Sequence, residues 1–230
     1  MRNLYKIFIT IGTMLILSAL FLCIYNIRES RKAYEISQEN LSELKKLIPE
    51  SPKENTDIFE YEIPEDDLFA PYEEKETELY QEKIYEDVPR DDDEESEMTY
   101  IIVNEYYYCG YISLPFLGIE LPVLDGWNYP NLQISPCLYS GNPQNNNMII
   151  AAHNYSNHFG QIENLNSDDE IYFTDCEGKT YGYTVVNTEY IGGYDVESMF
   201  RGSENDWDLT LFTCTFDGRT RVTVRAQRID

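Results

Sequence analysis

Two stretches near the C-terminus alternate in side-chain character around an Asp-Gly turn, and they constrain the fold most strongly. Every second residue is apolar or small in Leu209–Thr213, and Arg221–Ala226 repeats the pattern. A period of two is that of a half-buried strand, so the stretch predicts a hairpin. Cys214 ends the first strand and Arg221 opens the second, which indicates a thiol nucleophile beside a fixed cation.

Similar strand signals recur from Met98 onward, separated by Gly, Pro and Asn clusters. Helical signals are few: Asp195–Phe200, with Asp195 as a possible N-cap, and a turn around Phe159–Leu165. Short strands at this spacing in ~130 residues predict an all-β fold, either a closed barrel or a sandwich. The predicted strands are Tyr100–Tyr108, Tyr111–Leu114, Ile119–Val123, Met148–Ala152, Ile171–Thr174, Tyr181–Ile191, Leu209–Thr213 and Arg221–Ile229.

The N-terminal region carries a run without charge, Ile7–Ile27. Its length matches the ~20 residues that cross a hydrocarbon core. The run is longer than the apolar part of a cleaved signal and lacks a small-x-small site, so residues 1–29 are predicted to be an uncleaved transmembrane anchor. A lipidated Cys23 is disfavoured because large apolar residues precede it. Basic residues flank both ends of the run, so the positive-inside rule does not fix the orientation.

Residues 30–98 are predicted to connect this anchor to the strand-rich domain, residues 99–230. Apolar residues between Ile36 and Ile48 recur at helical spacing and favour a short juxtamembrane helix or coiled-coil stub. The stretch 50–97 then holds 21 acidic and four basic residues. Such a composition favours a disordered spacer, with an acidic binding tail as the alternative. No long helix is expected directly against the domain, because acidic residues precede it.

The net charge, the cysteines and the histidines limit which classes of function the chain can have. The net charge of −25 argues against nucleic acid, whose phosphates require Lys and Arg. The five cysteines lack a metal-ligand spacing, and their odd number leaves at least one free thiol. The sequence does not decide whether two of the others form a disulfide. Only two histidines occur. His153 follows an apolar strand, and with Cys214 it provides the minimum for thiol catalysis, whereas His153 and His158 as a metal pair lack a third ligand.

Several segments resemble sortases, the membrane-anchored cysteine transpeptidases of mainly Gram-positive bacteria. Thr210-Leu-Phe-Thr-Cys214 matches their Thr-Leu-x-Thr-Cys signature. Ile149–Asn154 is similar to their apolar strand ending in Ala-His, and Arg221–Ala226 is similar to their arginine-led last strand. Gly110–Val123 resembles their opening strands. The resemblance covers residues ~108 to 230 and implies a closed sortase-type β-barrel of about eight strands with a few short helices.

The resemblance also implies a reaction and a location. Cys214 would attack a threonine carbonyl in a Leu-Pro-x-Thr-Gly-like sorting signal of a secreted protein, and an amine of a peptidoglycan precursor or pilin would resolve the thioester. His153 would move the protons, and Arg221 would stabilise the oxyanion. It further implies a single-pass protein of the cell membrane with its catalytic domain outside. The sequence does not decide between a class D-like and an atypical class B-like sortase. No cofactor is implied.

Other candidates are weighed beside this triad. Arg219 is the rival of Arg221, but it falls in the predicted turn. Asn154 and Thr213 are candidate substrate-binding residues. Tyr155 and His158 could also line the site, but loop packing or hydrogen bonding explains them better. The acids Asp168–Glu170 could suit calcium in some sortases, although a turn that caps a strand is favoured. Asn142–Asn146 resembles a class B sorting signal, but its position predicts a polar loop.

Two rival functions remain from the sequence. One is a thiol hydrolase that releases the cleaved signal to water, since hydrolysis and transpeptidation share the same thioester. The other is a catalytically inactive, membrane-tethered peptide-binding module with a sortase-like barrel. The presence of His153, Cys214 and Arg221 together argues against the inactive module.

Overall fold

Nine strands form one sheet in the computed structural model, which describes residues 4–49, 98–200 and 207–229. The acidic stretch predicted as a disordered linker lies outside the described residues. The strands are β1 (Ile101–Val103), β2 (Tyr106–Leu114), β3 (Ile119–Leu124), β4 (Cys137–Ser140), β5 (Met148–Ala151), β6 (Glu170–Asp175), β7 (Thr180–Gly192), β8 (Leu209–Cys214) and β9 (Thr220–Arg228).

The sheet closes on itself and confirms the predicted barrel. Its order is β1-β2-β3-β4-β5-β8-β9-β7-β6, and β2 also pairs with β6. β1 pairs only with β2 and extends that edge, so eight strands make up the closed ring. Inward-facing side chains such as Ile112, Ile150 and Leu211 are fully buried, which accounts for the apolar alternation along the strands.

The strand prediction differs from the structure in three places. The predicted break between Tyr108 and Tyr111 is absent, because β2 runs through it. Tyr100–Tyr108 is split by a turn at Asn104 and Glu105, which both have positive φ (49° and 69°). Such a turn is usually signalled by Asn-Gly, so Asn-Glu gave no clear warning. β4 was missed because Cys137–Ser140 is only four residues long and does not alternate.

Short helices occupy the connections. α2 spans Tyr129–Leu132, and 3₁₀ turns form at Pro115–Leu117, Ile162–Asn164 and Glu197–Met199. The predicted helix over Asp195–Phe200 is therefore a single 3₁₀ turn. Asp195 does act near its start, because its carboxylate accepts hydrogen bonds from the Ser198 backbone N–H (3.3 Å) and hydroxyl (2.7 Å).

The loop Asn142–Asn146 is a self-bonded polar turn, as its position predicts. The Asn145 backbone N–H donates to Asn142 Oδ1 at 2.7 Å, and the Asn142 backbone N–H donates to Asn147 Oδ1 at 2.9 Å. Its side chains satisfy the backbone of the turn that leads into β5.

One long helix, α1, spans Leu4–Leu47 and has two different halves. Its apolar part is exposed along its length, with mean hydropathy 2.3, which suggests a membrane anchor. In its second half a stripe at helical spacing is buried: Ala33, Ser37, Asn40, Leu41 and Leu44, followed by Ile48 just after the helix.

This second half of α1 packs on the barrel, where no helix was expected. Asn40 Nδ2 donates to the Tyr108 hydroxyl at 2.7 Å, and the Lys45 ammonium lies 2.6 Å from a Glu120 carboxylate oxygen. Leu44 is fully buried beside Tyr108. The helix therefore packs on the barrel although the acidic stretch lies between the two in the sequence.

Candidate active site

Two parallel strands, β5 and β8, bring the predicted histidine and cysteine to the same end of the barrel. Ala151 is paired with Phe212 in the register of the two strands. Beyond that pair, the Ala152 backbone N–H donates to the Phe212 carbonyl at 3.2 Å, and Thr213 Oγ1 donates to the Ala152 carbonyl at 2.8 Å. His153 and Cys214 each follow directly after this bonded pair, so both leave the sheet at one rim.

The β8–β9 hairpin places Arg221 directly opposite Cys214. Opposed residues of an antiparallel pair share a face of the sheet, so the two side chains leave the hairpin on the same face. The turn between them is held by Thr215, whose Oγ1 donates to Asp217 at 2.7 Å. Arg219 is exposed within that turn and has no strand partner, so the geometry separates it from Arg221.

The Arg221 side chain lies along the hairpin and against the next loop. Its Nη1 donates to the Gly218 and Thr220 carbonyls, each at 3.2 Å. A Cβ on Gly193 would come within 3.3 Å of Nη1 and within 2.9 Å of the Arg219 carbonyl, so glycine is required for this close approach. The guanidinium is thus held near the rim by the turn backbone.

The five cysteines are all free thiols, and their surroundings differ. Cys214 is partly exposed at the rim, and Cys23 is exposed on α1. Burial raises the pKa of Cys109 and Cys137 and raises the pKa of Cys176 to about 12. These three thiols are buried and stay protonated at neutral pH. Within the barrel, Cys214 is therefore the thiol that a substrate can reach.

His153 begins a loop in which three aromatic rings lie in series. Its ring lies 5.0 Å from that of Tyr155, and Tyr155 lies 5.4 Å from His158. Burial lowers the pKa of His153, which keeps its imidazole neutral and able to accept a proton at neutral pH. The Phe159 backbone N–H donates to the His153 carbonyl at 3.2 Å and closes the loop.

His158 is fully buried beneath this loop, and neither ring nitrogen has a hydrogen-bond partner among the described residues. Burial and the neighbouring His153 lower its pKa to about 4. Its position agrees with packing inside the loop. In residues 4–49, 98–200 and 207–229, no three His, Cys, Asp or Glu side chains are grouped as metal ligands.

The predicted substrate-binding residues are placed differently from each other. Asn154 is exposed next to His153. Thr213 is buried, and its hydroxyl donates a hydrogen bond to the Ala152 carbonyl, so that hydroxyl does not face the Cys214 thiol.

The acids Asp168–Glu170 lie where the chain enters β6. Asp169 accepts a hydrogen bond from the Asn166 backbone N–H at 2.8 Å in the turn before that strand.

An aromatic row on the Cys214 side was missed from the sequence. Tyr139 lies between Trp127 and Phe212, with ring centroids 5.4 Å and 5.3 Å away, and Phe200 lies 6.4 Å from Tyr139. Phe212 precedes Cys214 by two residues, so strand periodicity alone puts both on one face. Tyr139 could not be found in that way, because β4 itself was not predicted.

Comparison with known proteins identifies the class of this barrel. Residues 112–229, just over half of the chain, match the family model of the sortase domain. The chain belongs to the sortase family. A search of curated proteins finds no match.

Two solved structures of streptococcal sortases agree with this assignment. The chain is 25% identical to sortase C of Streptococcus pneumoniae, with a TM-score of 0.50 over 56% of this chain and 71% of that one. Sortase C1 of Streptococcus agalactiae gives the same values. Sortase A of Corynebacterium diphtheriae is 25% identical with a TM-score of 0.49, over 55% of this chain and 62% of that one.

Proposed function

We propose that this protein is a cysteine transpeptidase that cleaves a sorting signal and transfers the acyl group to an amine. The observation that carries the proposal is the shared rim: His153 lies two residues beyond the end of β5, and Cys214 ends the neighbouring strand β8. Arg221 lies opposite Cys214 on β9. A nucleophile, a proton carrier and a cation at one rim are the parts that acyl transfer needs.

The first half of the reaction forms a thioester. Neutral His153 takes the proton of the Cys214 thiol, and the thiolate attacks the carbonyl carbon of the scissile peptide bond. Arg221 stabilises the oxyanion, for which a permanent charge and several donors suit it. The carbon–nitrogen bond then breaks, and protonated His153 gives its proton to the leaving amine.

The second half transfers the acyl group. An incoming amine loses a proton to His153 and attacks the thioester, and the Cys214 thiolate leaves. We infer an amine of a peptidoglycan precursor or a pilin as the acceptor, and a Leu-Pro-x-Thr-Gly-like signal as the donor. The support for both is family membership. We infer that α1 holds the enzyme in the cell membrane with the catalytic domain outside, and that no cofactor takes part.

The test uses the full-length chain in detergent with a panel of sorting peptides, with and without amine acceptors. Mass spectrometry is expected to find an acyl adduct on Cys214, and an amide product that requires the amine. Cys214→Ala serves as the matched control and should give neither. Product that is equal with and without amine would identify a hydrolase instead. Peptide binding without any adduct would identify a binding module.

A further inference from the structure

The strand directions define two ends of the barrel. At one end, which we call the catalytic end, β5 and β8 finish and β9 begins, so it holds His153, Cys214 and Arg221. β7 runs antiparallel to β9, with Tyr183 opposite Arg228 and its other end near Arg221. The β6–β7 turn, residues 175–179, therefore lies at the opposite end, which we call the far end.

Helix α1 crosses the barrel from the far end to the catalytic end. The carbonyl of Pro49, just after the helix, lies against Gly178 in the β6–β7 turn. Toward the N-terminus of α1, the Ser37 hydroxyl lies 3.1 Å from that of Ser135. Ser135 leads into Cys137, which pairs with Ala151 of β5 and with Leu124 of β3, so this contact lies between the two ends. Toward its N-terminus, α1 continues to the loop that begins at His153, residues 153–161, which we call the histidine loop. There Glu29 and Tyr25 lie close enough to Tyr155 to act on its phenol.

The apolar part of α1 begins almost where the packed part ends. Ala33 is still buried at 5% exposure, while Ile27, the last residue of the uncharged run, is 62% exposed. The step of six residues from Ile27 to Ala33 corresponds to about 9 Å of helix. α1 is unbroken through this region, so it is a rigid connection. Three exposed cations, Arg28, Arg31 and Lys32, and the exposed acid Glu29 stand at the junction, so the charged part of α1 begins directly after the apolar run.

The histidine loop lies beside this junction and suits a headgroup surface. Residues 154–161 carry no Asp, Glu, Lys or Arg in a chain with a net charge of −25. Burial raises the pKa of the Tyr155 phenol, and the neighbouring Glu29 and Tyr25 raise it further. Tyr155 therefore lies near this part of α1. The loop that begins at His153 is therefore at the level of the first residues beyond the apolar run.

The acidic stretch does not separate the barrel from the apolar run. It begins after Pro49, beside Gly178, and it ends just before Thr99, whose hydroxyl donates to the Glu177 carboxylate at 2.9 Å. Both flanks lie at the far end, away from the apolar part of α1. The distance between barrel and membrane is then set by α1 and not by the length of residues 50–97.

We propose that the catalytic end of the barrel faces the membrane, with residues 154–160 at the level of the lipid headgroups. This placement rests on the proposed role of α1 as a membrane anchor. In this placement a peptide or an acceptor reaches Cys214 along the bilayer surface. Confinement near the rim raises the effective concentration of a reactant held there.

The test measures depth in vesicles at two exposed positions of the full chain. The background is Cys23→Ser with Cys214→Ala, so that the added cysteine is the reactive thiol. A fluorophore is attached at Ser156→Cys on the histidine loop or, as the matched control, at Lys179→Cys at the far end. The vesicles contain phosphatidylcholine, phosphatidylglycerol and a lipid with a nitroxide on its headgroup. Quenching at position 156 is expected to exceed quenching at position 179 severalfold.

A second variant tests the rigid connection. A short Gly-Ser insertion between Arg31 and Lys32 uncouples the barrel from the span, and quenching at position 156 should fall to the level at position 179. Equal quenching at both positions, stronger quenching at 179, or no effect of the insertion overturns the proposal. A chain that does not float with the vesicles also overturns it. The adduct assay on soluble peptides needs no vesicle, so failure of the placement and failure of the transpeptidase function are read separately.

Discussion

Thr213 Oγ1 donates a hydrogen bond of 2.8 Å to the carbonyl oxygen of Ala152, and these two residues directly precede Cys214 and His153. The bond lies in the barrel interior, since Thr213 is only 2% exposed. It joins the ends of two parallel strands directly before the two residues that carry the proposed reacting side chains. The relative position of thiol and imidazole therefore depends on a residue that faces away from the rim.

We predict that Thr213→Val destabilises the protein and slows the reaction. The substitution keeps the shape but removes the donor to a buried carbonyl, which costs about 1–3 kcal/mol of unfolding free energy. Thr223→Val is the matched control, because Thr223 is equally buried and its hydroxyl has no partner among the described residues. Urea unfolding should show a loss of stability, and peptide turnover a loss of rate, for Thr213→Val only; Thr223→Val should be at least as stable as the wild type. Equal effects of the two variants would show that the bond to Ala152 has no special role.

The two arginines of the hairpin provide a second prediction. Arg221→Ala should reduce kcat/KM for a sorting peptide by at least ~10²-fold, the scale for a lost oxyanion donor. Arg219→Ala should leave turnover near the wild-type value, because Arg219 is exposed in the turn. Steady-state kinetics on both variants measures this. Retained activity in Arg221→Ala with loss in Arg219→Ala would reverse the assignment.

The buried His158 predicts a dependence of stability on pH. Its pKa is lowered from 6.5 to about 4, so the unfolded chain binds a proton in this interval that the folded chain does not. Stability should therefore fall as the pH drops from 6.5 toward 4, by about 3 kcal/mol for a shift of this size. Below pH 4 both states are protonated, and this contribution changes no further.

Comparison of the wild type with His158→Leu isolates that effect. Leucine removes two buried nitrogens without partners, so the variant should be at least as stable at pH 7. Its unfolding free energy should also fall less between pH 6.5 and pH 4, while the carboxylates contribute equally to both proteins. Identical pH profiles for the two proteins would contradict the low pKa. NMR titration of His158 gives an independent measurement.

Local patterns predicted the hairpin and the strand before His153 because both signals lie within a few residues. The alternation of Leu209–Thr213 is a property of one strand. The parallel pairing of β5 with β8 is different, since Met148 and Leu209 are distant in the chain. Closing such a contact depends on the whole barrel, so only the family resemblance could anticipate it.

The sequence did not predict that α1 packs on the barrel, and the reason lies in the chemistry of its buried residues. Its buried stripe includes Ser37 and Asn40, which make hydrogen bonds to Ser135 and Tyr108. Two polar residues interrupt the apolar pattern that would have indicated a packed helix face. Their partners lie far along the chain. A periodicity argument therefore finds the helix but not the surface that it covers.

The last prediction concerns Arg225, a buried arginine on β9 that holds the segment before β8. Its guanidinium donates to the carbonyls of Ser198 and Met199 and to Thr210 Oγ1, and Nε pairs with Glu189 at 3.0 Å. The guanidinium also lies 4.3 Å from the Trp207 ring centroid. These contacts fix the turn that carries Met199 against β5 and β7, where it packs with Ile149 and Ile191.

Arg225→Met should lower the unfolding free energy by at least about 2 kcal/mol, because several buried acceptors lose a charged donor. Trp207 fluorescence should change, since the cation over its ring is removed. KM for a sorting peptide should rise, because Phe200 of the released segment borders the aromatic row beside Phe212. Arg219→Met, an exposed arginine on the same hairpin, is the control and should change none of the three. Unchanged fluorescence and KM in Arg225→Met would show that the segment is held by other contacts.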